Sequence, residues 1–148
     1  MGLIDDLGPG PVGVDTAPFI YFIEAVPPWL ALVRPLFLAA DALQMELVTS
    51  AITLLEVMVV PFRRNESALA ARYEALLTRS RGIRLIDITR QQVRQAALLR
   101  ATTGLRTPDE LQLSAAQTAG CSVFLTNDRR LPPLPNLRIV QLADHLPA

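Results

Sequence analysis

Four carboxylates carry the chemistry that this sequence offers: Asp15, Glu56, Asp109 and Asp128. Asp15 ends the short apolar run Val12-Gly13-Val14-Asp15, and Asp128 lies just past the run from Ser122 to Thr126. Both runs suit buried strands. Glu56 falls in the second turn of a helix that follows a second apolar run, and Asp109 in the first turn of the helix before the fourth. In open parallel sheets, ligands bind in the crevice outside the carboxyl ends of the strands, and all four acids fall at or near that edge. Glu56 is embedded in Thr53-Leu54-Leu55-Glu56-Val57-Met58-Val59-Val60, where a carboxylate is costly unless something pairs with it. Crowded acids repel and raise one another's pKa. A hard divalent cation resolves that repulsion, and an oxygen-only donor set suits Mg2+ or Mn2+. Each acid alone also has a plainer reading. Asp15 can cap a helix, Glu56 can form a capping box with Thr53, Asp109 can complement a helix dipole, and Asp128 can be a turn residue. The remaining acids fit a shared site less well. Glu110 reads as the partner of Thr107 in a capping box, and Asp5, Asp6 and Asp144 fall in tails.

Composition removes several alternatives. The chain has 148 residues, 51% of them hydrophobic, with a mean hydropathy of +0.32. That is one domain's worth of chain with enough apolar surface to fold without metal or disulfide. Fourteen basic and fourteen acidic residues balance, so a nucleic-acid site must be a local patch. Every basic residue is Arg. Without lysine, P-loop phosphate binding, Schiff-base chemistry and receiver-type phosphotransfer are excluded. The single cysteine, Cys121, cannot form an internal disulfide and reads as a small core residue. The single histidine, His145, reads as a solvated tail residue, and it excludes catalysis by a histidine pair. Two apolar stretches, 17–40 and 47–62, are broken by charges or proline or are too short to span a membrane. With no secretory pattern at the start, the chain is expected to be cytoplasmic.

The acids must be positioned by short elements. Residues 1–11 hold three Gly and two Pro without periodicity and are expected to be a flexible leader, with one domain over 12–148. Strands are expected at 12–15, 46–49, 84–88, 122–126 and 137–140. Helices are expected at 16–25, 29–43, 51–60, 66–78, 90–103 and 108–119. Pro61 should close the third helix, Ser50 and Thr89 should cap helices, and Gly104 should stop one. Thr107-Pro108-Asp109-Glu110 has the pattern of a capping box with proline at the first helical position. Strands alternating with helices predict an α/β fold with a mostly parallel central sheet of about five short strands.

On these residues the chain resembles the PIN-domain nucleases. Val14-Asp15-Thr16, Thr53-Leu54-Leu55-Glu56, the block from Thr107 to Ala116, and Leu125-Thr126-Asn127-Asp128 are similar, in order and in placement, to that family's four signature blocks. The single-domain size resembles the VapC-type ribonuclease toxins within it. The resemblance implies a PIN-like fold and a metal-dependent endoribonuclease. It also implies a homodimer, held inactive by a small antitoxin protein. It carries Asp15, Glu56, Asp109 and Asp128 over as Mg2+ or Mn2+ ligands, and gives Thr126 the place of a hydroxyl that orients a water. One departure is Ala17, where many members have Asn.

The chemistry agrees with the resemblance. Phosphodiester hydrolysis needs a nucleophile at neutral pH and relief of charge on the phosphate, both of which a bound metal supplies. Arg106, Arg129 and Arg130 are candidates to clamp substrate phosphates. The alternative is a non-catalytic RNA-binding or protein-interaction module with a degenerate PIN-like fold. The aromatics are five Phe, two Tyr and one Trp, mostly in helices that read as core or interface, so nothing identifies the RNA. The apolar helices around 19–38, with the helix over 51–62, are expected to form a groove for an antitoxin segment.

Overall fold

The computed structural model describes residues 2–148. Five strands, β1 (Val12–Val14), β2 (Leu47–Ser50), β3 (Ile83–Ile86), β4 (Val123–Thr126) and β5 (Arg138–Gln141), form one sheet in the order β3-β2-β1-β4-β5. All four pairings are parallel. The mostly parallel α/β sheet expected from the alternation of strands and helices is therefore observed. Strand order reverses between β1 and β4, which opens a crevice at their carboxyl ends.

Alternation along the strands assigns the two faces. Val12, Val14, Leu47, Val123 and Leu125 join the core that packs under α2 (Thr16–Ile23), α3 (Leu30–Asp41), α4 (Ala51–Arg63) and α5 (Ser67–Arg79). Val48 and Phe124 point the other way, into a smaller core with Leu99 of α6 (Arg90–Thr103) and Leu113 and Ala116 of α7 (Thr107–Thr118). Gly13 is the point of closest approach on that second face. A Cβ there would stand 2.7 Å from Phe124 Cδ1 and 2.8 Å from Ala116 Cβ. Its bare backbone lets α7 lie against β1, and α7 carries Asp109.

Capping follows the sequence in three places. Ser50 accepts from the Ile52 N–H and Thr89 from the Gln92 N–H, and Gly104 closes α6 in the left-handed region at φ 72°. Three expectations need correction. Pro61 does not end α4, which runs through it to Arg63. The Arg64 N–H bonds the Val60 carbonyl, so the helix closes beyond the missing proline donor. Thr107 and Glu110 form no capping box. Arg106 occupies the cap position, and Arg100 on α6 draws in both side chains, donating to the Thr107 hydroxyl and pairing with Glu110 at 2.7 Å.

The third correction concerns the ends of the chain. Residues 3–7 form the helix α1 (Leu3–Leu7), with Leu3 and Leu7 buried in the main core. Met1 lies outside the described residues. Asp6 of α1 is held by Arg138 on β5 and by His145, each at 2.9 Å. So neither the leader nor His145 is a solvated tail. Their burial depends on pairing between the two ends of the chain, which local periodicity does not register. Among the described residues, no helix is long and apolar enough to cross a membrane.

Candidate active site

The register of the two central strands builds the site. Val14 on β1 pairs with Leu125 on β4, so the next residues along, Asp15 and Thr126, emerge side by side at the carboxyl edge. The Asp15 N–H donates to the Leu125 carbonyl at 2.9 Å and fixes the backbone there. The Asp15 carboxylate accepts from the Thr16 N–H at 2.8 Å and from the Thr126 hydroxyl at 2.7 Å. It is thus a helix cap that stands at the candidate site, and the two readings do not exclude each other.

Thr126 is fully buried. Its oxygen accepts from the Asp128 N–H at 3.0 Å, and its single proton goes to Asp15. The hydroxyl links the Asp15 carboxylate to the Asp128 backbone N–H. Around it, Asn127 is pinned between the Tyr21 hydroxyl and the Ala143 N–H, and Gln141 donates to the Asp128 carbonyl. The loop after β4 is fixed on both sides of Asp128.

Glu56 reaches the same edge from α4, where the Thr16 hydroxyl donates to its Oε1 at 3.0 Å. Its partner is Thr16, not Thr53 of the expected capping box. Glu56 is the most exposed of the four acids, which relieves part of the cost inferred from its apolar neighbours. Asp109 sits in the first turn of α7, half-buried and without a side-chain hydrogen bond among the described contacts.

The acids lie near enough to act on one another's charge. Burial raises the Asp15 carboxyl above its ordinary range, opposed by hydrogen bonds from Thr126 and Thr16 and reinforced by the charge of Asp128. Partial burial raises Glu56, against the Thr16 hydrogen bond and with the charges of Asp15 and Asp109. Burial raises Asp109, and the charges of Asp128 and Asp15 add to it. Asp128 is the exception. The Arg130 guanidinium donates to it at 3.0 and 2.8 Å and holds its carboxyl below the ordinary range.

The three expected phosphate-binding arginines separate. Arg130 is clamped on Asp128. Arg106 caps α7, is exposed, and is near enough to lower Asp109. Arg129 turns away to Asp144 at 2.6 Å.

The donor set is chemically suited to a hard cation: carboxylates, three of them raised by burial and by one another, at a sheet edge open to solvent. Among the described residues, no three acidic, His or Cys side chains already stand grouped for metal ligation. Asp128 is drawn onto Arg130, and Asp15 is held by Thr126.

Sequence reasoning missed what lies beneath the acids. Gln112 of α7, with Thr49, Thr53 and Thr16, forms a polar cluster in which the first three side chains are buried. The available signal was Gln112 in the otherwise apolar stretch Leu111-Gln112-Leu113, since a buried amide requires partners.

Comparison with known proteins assigns the family. The model of the PIN domain matches residues 14–136, a span that contains all four acids, and the chain belongs to the PIN domain family. No curated protein matches the sequence. The fold is similar to that of VapBC2 from Rickettsia felis, solved bound to a DNA fragment from its promoter. The identity is 20% and the TM-score 0.64, over 88% of this chain and 97% of that one. It is similar to a toxin–antitoxin complex from Klebsiella pneumoniae, at 20% identity and TM-score 0.61 over 88% and 96% of the two chains. It is also similar to VapC20 of Mycobacterium tuberculosis, a sarcin–ricin loop cleaving toxin, at 18% identity and TM-score 0.61 over 76% and 86%.

Proposed function

We propose that this protein is a metal-dependent endoribonuclease and the toxin of a toxin–antitoxin pair. The observation that carries the reading is the convergence of Asp15, Glu56, Asp109 and Asp128, from four separate segments, on the strand-order reversal of a PIN domain. The similarity to toxin–antitoxin complexes and to an RNA-cleaving toxin supports it. The four acids would hold Mg2+ or Mn2+. When bound, such a cation shields charge developing on the phosphate and lowers the pKa of water.

The chain's own residues prepare the site. Thr126 and the Thr16 N–H hold Asp15 in one orientation, so little is reorganised when a cation or substrate arrives. The Thr16 hydroxyl does the same for Glu56. Arg130 neutralises Asp128; were Asp128 to hold a cation, the Arg130 guanidinium would be free to pair with a substrate phosphate. Arg106, exposed at the start of α7 beside Asp109, is free to offer a second phosphate contact.

The antitoxin surface expected around α2 to α4 is narrower than its apolar composition implied. Phe19, Val33, Leu36 and Phe37 are core, and Phe22 stacks on Phe37 with ring centroids 4.3 Å apart. Leu55, Val59, Val60 and Phe62 stay exposed on α4, and Leu55, Val59 and Phe62 are spaced to share one helix face. We assign the antitoxin segment to that face, and homodimerisation to another part of the surface.

Cleavage of a mixed RNA pool tests the proposal. Wild-type protein in Mn2+ should cut, and excess chelator or Asp109→Asn should abolish cutting. Chelator-resistant cleavage, or an Asp109→Asn variant of full activity, would overturn it.

A further inference from the structure

The buried cluster beneath the acids has a fixed direction. The Ser50 N–H can only donate, and it donates to Gln112 Oε1 at 3.3 Å. That sets the amide: Oε1 faces Ser50 and Thr49, and Nε2 faces the other way. Nε2 carries two protons and no lone pair to offer. It donates one to the Thr16 hydroxyl at 3.1 Å and the other to the Thr53 hydroxyl at 2.5 Å. Thr16 Oγ1 is thereby an acceptor toward α7. Its single proton has one charged acceptor in reach, Glu56 Oε1 at 3.0 Å. Thr53, which lies 3.1 Å from Thr16 and 2.8 Å from Thr49, completes the cluster from the side. The relay therefore runs from a backbone N–H on β2, through a side chain on α7, to a hydroxyl on α2, and ends on a carboxylate on α4.

We propose that Gln112 is a positioning residue of the active site, which holds Glu56 in its ligating orientation by committing the Thr16 hydroxyl proton to it. Gln112 touches neither substrate nor cation. The inference rests on the reading of Glu56 as a metal ligand. The chain's geometry makes the device economical. Glu56 is the most exposed of the four acids, so packing does little to fix its carboxylate. Gln112 is only 2% exposed, and Thr53 is fully buried. A rigid buried amide thus orients an otherwise mobile side chain through one hydroxyl. It also couples α7, which carries Asp109, to α4, which carries Glu56.

The test is a double-mutant cycle on Mn2+ affinity, measured by calorimetry with the metal alone, beside melting temperature for each protein. Gln112→Met keeps the length of the side chain and removes its donors. Thr16→Val removes the hydroxyl, and Thr16→Ser restores it. Loss of a group that orients a metal ligand costs roughly ten- to a hundredfold in affinity. Gln112→Met and Thr16→Val should each weaken Mn2+ binding by about tenfold, Thr16→Ser should bind as wild type, and the double variant Gln112→Met/Thr16→Val should be no weaker than Thr16→Val alone. In an Glu56→Gln background, neither substitution should change affinity further. Additive losses in the double variant, or unchanged affinity in both singles, would overturn the relay while leaving the site itself intact. Glu56→Gln with wild-type affinity would remove Glu56 from the site and the relay with it. A role in stability alone would lower the melting temperature without moving affinity, and that result also refutes the proposal.

Discussion

Asp15→Asn separates a metal ligand from a helix cap. Asp15 does both jobs in the structure: it accepts from the Thr16 N–H at 2.8 Å and from Thr126 at 2.7 Å, under the repulsion of Asp128. As a cap, Asn is about as good as Asp. Its Oδ1 still takes the Thr16 N–H, and its Nδ2 faces a Thr126 oxygen that has a second lone pair free to accept. The Thr126 proton loses its carboxylate acceptor in exchange, a cost of about 1–3 kcal/mol that removal of a buried charge offsets. Removing the charge also relieves the repulsion that raises Asp109 and Glu56. The metal-free variant should therefore melt at or above the wild-type temperature. Mn2+ should behave oppositely. At a concentration about a hundredfold over Kd, a ligand that binds only the folded state stabilises it by about 2.7 kcal/mol. In a domain of this size that is roughly 5–10 °C of melting temperature. A hundredfold loss of affinity cuts the gain to about 0.4 kcal/mol, close to 1 °C. The assay is thermal unfolding of both proteins at one Mn2+ concentration and in chelator. An Asp15→Asn protein that keeps the full Mn2+ shift, or that loses several degrees without metal, would mean that Asp15 is a helix cap and not a metal ligand.

Other outcomes follow from the same contacts. Arg130→Ala frees Asp128 from its guanidinium. Mn2+ should bind at least as tightly to that variant, while the KM for RNA rises about tenfold from the lost charge-assisted contact; weaker Mn2+ binding would contradict the competition. Glu110→Gln should lower stability by about 1–3 kcal/mol, because Glu110 is buried against Arg100, and it should leave Mn2+ affinity and cleavage unchanged; a stability-neutral variant would restore the capping-box reading. Asp15, Glu56 and Asp109 all have folded-state values above their ordinary ones, so between the two the folded state holds more protons than the unfolded. The stability these three contribute to the metal-free protein should then fall as pH rises above their ordinary values of about 4, against the opposite contribution of Asp128. Saturating Mn2+ should flatten that slope, and a slope of the opposite sign by denaturant titration would count against crowded acids.

The parts of the site legible in the sequence were those written in local pattern. Short apolar runs ending in acids located β1 and β4, and the register of parallel strands then placed Asp15 beside Thr126. Asp109 was legible because proline and acids mark the first turn of α7. What was not legible is long-range. Nothing local to Glu110 announces Arg100 on the preceding helix, and the helix over residues 3–7 exists because Leu3 and Leu7 find the core while Asp6 finds Arg138 and His145. The Gln112 cluster joins residues up to 96 apart in the chain, so it shows in the sequence only as an amide between Leu111 and Leu113. Gly13 gave no sign of its role, since the close approach of α7 depends on Phe124 and Ala116 arriving from elsewhere.

Hydrolysis of RNA by a divalent cation held on the four carboxylates at the carboxyl edge of this sheet can be read from the ends of the fragments released from a defined RNA in Mn2+. Attack by water on phosphorus leaves a 5′-phosphate on one fragment and a 3′-hydroxyl on the other, whereas attack by the ribose 2′-hydroxyl leaves a cyclic phosphate. Mass analysis should find 5′-phosphate and 3′-hydroxyl ends for the wild type, and no fragments for Asp15→Asn, Asp109→Asn or Asp128→Asn. Cyclic-phosphate ends, or the same fragments from the variants, would contradict the account.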